Sequence, residues 1–207
     1  LDELIAMLDD AALRRRHWRA MTAATAALAA APFVTIAEIA GAAAGAGLSL
    51  ALACDLRLAA PSARFVLPPA KLGVIYPRAD LARLVRLAGE AAARELLLTA
   101  APRDAGWAQA HGLVQTVCPD RRALQEAALH MARDIAGLSA PSLAALKESL
   151  DALAGTDGGM GADEVAAEEE RFVRAFDEPE VRARITAAQR RSRGAGRSGD
   201  SGRGRKG

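Results

Sequence analysis

Aromatic residues are scarce: Phe, Trp and Tyr together make up 3% of the 207 residues. Any core must therefore be filled mainly by Ala, Leu and Val. There are two cysteines, Cys54 and Cys118. They supply neither a disulfide framework nor a metal set, and in their apolar settings they read as reduced, buried thiols of a cytosolic protein. The three histidines, His17, His111 and His130, are far apart, and none stands at a metal-ligand spacing. The opening Leu1-Asp2-Glu3-Leu4 has neither the basic nor the apolar stretch of a signal peptide. The uncharged run over residues 39–54 is sixteen residues long, bracketed by Glu38 and Asp55. That is short of the roughly 20 residues that cross a bilayer, and Ala and Gly drive insertion weakly. The reading is no membrane span.

What is present suits a globular chain: 51% hydrophobic and 25% charged residues, enough to bury one sizeable core. The net charge of +2 conceals an asymmetry. Seven basic residues and one acid fall in residues 190–207, so residues 1–189, with 20 basic and 24 acidic residues, carry −4. A mildly acidic body argues against a nucleic-acid partner.

Along the chain, residues 1–10 form a short amphipathic piece. Residues 11–30 read as a helix ended by Pro32, with Arg14, Arg15, Arg16 and Arg19 solvating its start. Residues 33–39 read as a strand, followed by a loop broken at Gly41, Gly45 and Gly47 and a helix built on Leu48, Leu50, Ala51 and Leu52. Residues 56–60 and 64–67 read as strands. Helices are then expected over 79–87 and 90–99, separated by Gly89, and over 104–110, where Asp104 is a good N-cap. A strand at 113–117 and helices at 120–135 and 143–153 follow, with Pro141 near a helix start. Residues 155–161 read as a flexible loop, 162–176 as an acidic helix and 178–189 as a last helix. From Arg191 onward only Ala195 is apolar, and the expectation is a disordered tail.

Strand, glycine loop and helix N-terminus aim unpaired backbone N–H groups at one spot that favours negative charge. A phosphate-binding loop would need Lys followed by Ser or Thr after the glycines; Gly47-Leu48-Ser49 has no such Lys. A dinucleotide fingerprint would need a third glycine where Leu50 stands, and no βαβ unit precedes it. An oxyanion site, in which a backbone N–H stabilises a developing enolate or tetrahedral oxygen, remains.

The run over residues 35–77, TIAEIAGAAAGAGLSLALACDLRLAAPSARFVLPPAKLGVIYP, resembles the central signature of the crotonase, or enoyl-CoA hydratase/isomerase, family. The likeness lies in a strand ending in Gly, an A-x-G-[AG]-G turn, a helix ending in C-D, and the K-L-G that follows. It continues through ARLVRLAG, ARELLLTA, residues 105–117 and the helix over 141–147, covering nearly all of residues 1–190. The resemblance implies an α/β, ClpP/crotonase-type ββα superhelix with a helical C-terminal region. Residues 1–137 would be the core, residues 138–190 a helical oligomerisation region packing across subunits, and residues 191–207 the basic tail. It implies a cytoplasmic homotrimer or hexamer acting on an acyl-CoA thioester through an enolate. Coenzyme A would enter as part of the substrate, with no separate cofactor and no metal.

Residue by residue, the family's helix-side oxyanion donor falls on the backbone N–H of Ala46, between Gly45 and Gly47 in the substrate-binding turn. The second donor belongs to a loop preceding a segment like Leu1-Asp2-Glu3-Leu4, so that loop and the family's first strands are expected to lie outside this sequence. The two acids that hydratases use fall on Ser49 and Pro69, and neither residue supplies a general acid or base. The expectation is that hydration by the two-glutamate route does not operate. Pro69 with Leu72-Gly73-Val74-Ile75-Tyr76 is similar to the branch containing methylmalonyl-CoA decarboxylase, where a tyrosine orients a carboxylate. Tyr76 is accordingly a candidate catalytic group, set against a tyrosine merely bonded to backbone. Lys71 could reach a coenzyme A phosphate or stand solvated. Two alternatives accompany the general acyl-CoA reading: a decarboxylase of the methylmalonyl-CoA type, and a non-catalytic homologue that binds acyl-CoA or oligomerises.

Overall fold

A chain rich in Ala and Leu and poor in β-branched residues favours helix over strand. The computed structural model describes residues 10–73 and 75–155, together with Pro179. Helix α1 (Ala11–Ala29) starts at Asp10, whose side chain accepts the Leu13 N–H at 2.8 Å. Then come β1 (Ile36–Ile39), β2 (Ala42–Ala44), α2 (Ala46–Ala53), β3 (Leu56–Ala59), β4 (Arg64–Val66) and α3 (Pro69–Leu72). The sequence continues with α4 (Arg78–Thr99), β5 (Arg103–Asp104), α5 (Ala105–Ala110), β6 (Thr116–Val117), α6 (Arg121–Ala136) and α7 (Ala140–Gly155). The chain divides into two units, residues 1–144 and 145–207. The acidic helix read at 162–176, the helix at 178–189 apart from Pro179, the loop at 156–161, the tail at 191–207 and the opening residues 1–9 lie outside the described residues.

In the first unit each pass of the chain lends one strand to each of two sheets. β1, β3 and β6 form one sheet, all parallel, with Ile36 opposite Leu56 and Ala59 opposite Val117. β2 and β4 pair in parallel in the other, with Ala44 opposite Val66, and β5 joins β4 antiparallel. Parallel neighbours need a crossover. Here the crossover between β1 and β3 runs through β2 and α2, giving β1–β2–α2 followed by β3–β4–α3–α4. This is the expected ββα superhelix.

The core follows the composition. Phe65 is the one fully buried aromatic among the described residues, and it packs with Leu48, Leu67, Leu84, Leu96 and Leu113. A second cluster of Leu58, Ala60, Cys118 and Leu124 lies where α6 covers β1 and β3. One cation is built into this interior. Arg57 on β3 is buried; its Nε donates to the Leu113 carbonyl at 2.7 Å and its Nη1 to the Cys54 carbonyl at 2.6 Å. Burial pushes this guanidinium below its ordinary value, against Cys54 and Asp55, which pull it up.

Several boundaries differ from the sequence reading, each for a nonlocal reason. Phe33, Val34 and Thr35 precede the strand rather than joining it. Thr35 is tied instead to Asp55, whose Oδ2 accepts the Thr35 N–H at 2.7 Å and hydroxyl at 2.8 Å. Ala42–Ala44, read as loop, is a strand because β4 offers it a ladder. Residues 69–72, not read as helix, form the single turn α3, with Pro69 at its start and Gly73 closing it at φ 67°. The two helices expected either side of Gly89 occur as α4, where Gly89 alone leaves helical geometry, at φ 77° and ψ 161°.

Candidate active site

The site grows out of the turn between β2 and α2. Gly45 sits at φ 51° and ψ −120°, a conformation that side-chain-bearing residues adopt only under strain. That geometry lets its N–H extend the β2–β4 ladder to the Val66 carbonyl at 3.1 Å. Its own carbonyl turns into α2 and accepts the N–H groups of Leu48 and Ser49 at 3.0 and 3.1 Å. Ala46 is then the first residue of α2, where the helix supplies no acceptor for the backbone N–H. Ala46 and Gly47 are exposed, and α2 has no acidic residue in its first turn to occupy its positive end. An anionic oxygen can therefore be received there.

One turn further on, Ser49 is completely buried and its hydroxyl is hydrogen-bonded to the Tyr76 phenol. Tyr76 stands just before α4, half-buried, and donates to the Gly45 carbonyl at 2.9 Å. Its single proton being given to Gly45, Ser49 is the donor in the contact between the two hydroxyls. Burial, first of all, pushes the phenol up to about 12; the Ser49 bond works against this and the charge of Asp80 adds to it. Tyr76 is therefore a neutral donor over the whole physiological range.

The structure thus brings Gly45, Ala46, Ser49 and Tyr76 into one hydrogen-bonded corner. Pro69 and Lys71 are on α3, Pro69 as its half-buried first residue and Lys71 exposed. Pro69 has a backbone explanation in its own right, since proline is pre-organised for the first position of a helix. Asp80 was missed in the sequence. It is 1% exposed at the start of α4, with Oδ1 held by Arg83 Nη1 at 2.8 Å and Oδ2 without a hydrogen-bond partner among the described residues. An acid in the first turn of a helix ordinarily complements the dipole from the surface, so only its position four residues after Tyr76 could have drawn notice.

Other sequence candidates take structural places. Cys54 is half-buried, with its thiol against the Leu50 carbonyl, and Cys118 is in the second core cluster. His111 caps the end of α5 with its ring 4.5 Å from that of Trp107, and His130 faces Asp134 at 2.9 Å on the exposed face of α6. Among the described residues no three metal-ligating side chains group together, and no helix is long and apolar enough to cross a membrane. Two hollows lie away from the corner. One of about 630 Å³ is lined by Arg15, Arg16 and Arg19 on α1, and an apolar one of about 250 Å³ lies between residues 32–36 and the end of α6.

Comparison with known proteins points the same way. The sequence model of the enoyl-CoA hydratase/isomerase family matches residues 3–192. A Mycobacterium bovis protein named "probable enoyl-CoA hydratase" is 40% identical over 124 residues, 60% of this chain and 48% of that one. The mitochondrial methylglutaconyl-CoA hydratase of Rattus norvegicus is 42% identical over 106 residues, 50% of this chain and 34% of that one. The chain thus spans half or less of the length of these curated relatives. Among solved structures, an enoyl-CoA hydratase/carnithine racemase from Magnetospirillum magneticum superposes with a TM-score of 0.81 at 28% identity, covering 92% of this chain and 69% of that one.

Proposed function

The chain belongs to the enoyl-CoA hydratase/isomerase family, and from that premise we propose that it acts on an acyl-CoA thioester by stabilising an enolate at the N-terminus of α2. The observation that carries this reading is Ala46: an exposed residue, first in its helix, whose N–H is set by a glycine turn that no other residue type adopts without strain. A thioester carbonyl oxygen placed there gains charge as the enolate forms. A donor already fixed in place stabilises that charge without reorganisation. Hydration by paired carboxylates is not part of the proposal, because Ser49 and Pro69 occupy the positions where it would need them.

A second reading, decarboxylation of a malonyl-type thioester, is favoured by the neutral Tyr76 phenol beside this corner. In that reaction the bond between the α-carbon and the carboxylate breaks and carbon dioxide leaves. The electron pair passes into the thioester enolate, and the α-carbon then takes a proton from solvent. No base is required, and Tyr76 would orient the carboxylate by transferring its hydrogen bond from the Gly45 carbonyl to the substrate.

Ala46→Pro tests the shared step, because proline at the first helical position removes the N–H while fitting the helix. With methylmalonyl-CoA and crotonyl-CoA as substrates, turnover is expected to fall by about 10²–10³-fold with far-ultraviolet circular dichroism unchanged. Turnover equal to that of the unmodified protein would sink the enolate reading. Binding of an acyl-CoA with no turnover of either substrate would favour a non-catalytic acyl-CoA-binding homologue.

A further inference from the structure

The Gly45 carbonyl and the Ala46 N–H are two ends of one planar peptide group, and they point in opposite directions. Whatever grips the oxygen therefore sets the direction of the hydrogen. Side-chain packing does little to hold this peptide. A β-carbon at Gly45 or at Gly47 would meet nothing within 4 Å, and Ala46 is exposed. Gly45 also has soft torsions of its own, having no side chain to restrict them. The orientation of the peptide thus depends on its hydrogen bonds.

Three donors meet on the Gly45 oxygen. The N–H groups of Leu48 and Ser49 reach it from within α2 at 3.0 and 3.1 Å, and the Tyr76 phenol reaches it from outside the helix at 2.9 Å. The helix alone already serves the two lone pairs of that carbonyl. The phenol is an addition, brought in by a residue 31 positions along the chain. It is held in turn from two sides: its ring packs on the first core cluster, and buried Ser49 meets its oxygen. With Ser49 as donor, the dipoles run head to tail from Ser49 through Tyr76 to the peptide, and end on the Ala46 N–H. Hydrogen bonds aligned in this way polarise one another.

We propose that Tyr76 is a positioning residue for the oxyanion donor: its phenol, backed by Ser49, clamps the Gly45–Ala46 peptide by the carbonyl end and so aims and strengthens the Ala46 N–H. The importance of that N–H for an acyl-thioester rests on the proposed function; the clamp itself does not. The phenol then serves the reaction without touching the substrate.

Tyr76→Phe keeps the ring and deletes the clamp. Gly–Ala occurs four times in the chain, so isotope labelling of glycine carbonyl carbon and alanine nitrogen isolates the Gly45–Ala46 peptide by nuclear magnetic resonance. In Tyr76→Phe the Ala46 nitrogen signal is expected to move upfield as its peptide loses polarisation, with the Gly41–Ala42 signal unmoved. An unmoved Ala46 signal overturns the proposal. With methylmalonyl-CoA or crotonyl-CoA, turnover is expected to fall about 3–10-fold, the worth of one neutral hydrogen bond, with KM unchanged. In Ala46→Pro the phenol has no N–H left to aim, so adding Tyr76→Phe should cost nothing further. An equal loss in both backgrounds also overturns the proposal, since the phenol would then act on the substrate itself or on the fold at large. Should Tyr76→Phe fail to fold, Ser49→Ala decides: the Ala46 signal is expected to move the same way by less, and no movement contradicts the clamp. The signal is read without any acyl-CoA. Failure of the enolate reading, seen as full turnover in Ala46→Pro, is therefore a separate result.

Discussion

Ser49 is fully buried in the corner, and its hydroxyl meets the Tyr76 phenol. It brings no titratable carboxyl to the site and supplies one proton to the Tyr76 oxygen. That donation stabilises phenolate, so removing it should push Tyr76 further from ionisation. Ser49→Ala is expected to show less phenolate than the unmodified protein at pH about 12, the midpoint set by burial and by Asp80 against the serine bond. The fold should lose only about 1 kcal/mol, since Tyr76 keeps its bond to the Gly45 carbonyl and no charged group is orphaned. Urea unfolding and phenolate absorbance on the same sample check both. Ala46, Ser49 and Tyr76 could be singled out from sequence because a motif fixes their spacing. Asp80 could not, because what distinguishes it is burial, and burial is decided by the packing of α4 on α2.

At the scale of the element, the β2–Gly45–α2 connection is what converts sequence into a site. The turn must reverse the chain within one residue so that the N–H of Gly45 serves the sheet while its carbonyl serves the helix. A β-carbon at Gly45 would meet nothing within 4 Å. The cost of Gly45→Ala is therefore conformational: an L-residue at φ 51° and ψ −120° is strained by about 1–3 kcal/mol. The variant is expected either to lose that much stability in denaturant unfolding, or to keep its stability by relaxing the turn and lose catalysis through a displaced Ala46 N–H. Full stability together with full activity would show the turn to be dispensable. The strand leading into this turn was invisible in the sequence for a related reason. Ala42-Ala43-Ala44 has neither alternation nor β-propensity, and it becomes a strand only through pairing with Arg64-Phe65-Val66 some twenty residues later. Helices with local signals were plain: Asp104 and Asp120 cap α5 and α6 by accepting the Trp107 and Ala123 N–H groups, each at 2.8 Å.

Among the described residues, burial shifts the proton affinity of two groups that can be followed, Arg57 and Tyr76. Arg57 stays cationic and ties β3 to the segment before β6 through the Leu113 carbonyl, and to the end of α2 through the Cys54 carbonyl. It is inert to ordinary pH change. Tyr76 is the group that responds, and the direction follows from where its proton is held more tightly. The folded phenol is pushed up to about 12 from an ordinary 10.0, so between those values the unfolded chain has released the proton and the native one has not. The native state then binds more protons, and stability falls as pH rises through this window. Below the unfolded value the contribution is present in full; above the folded value it is gone. Lysines titrate in the same range, and Tyr76→Phe subtracts them. The unmodified protein is expected to lose stability more steeply than Tyr76→Phe between about pH 10 and 12, with matching slopes between pH 7 and 9. Parallel curves throughout, measured by urea midpoints at each pH, would mean that the phenol is as free to ionise in the folded chain as in the unfolded one.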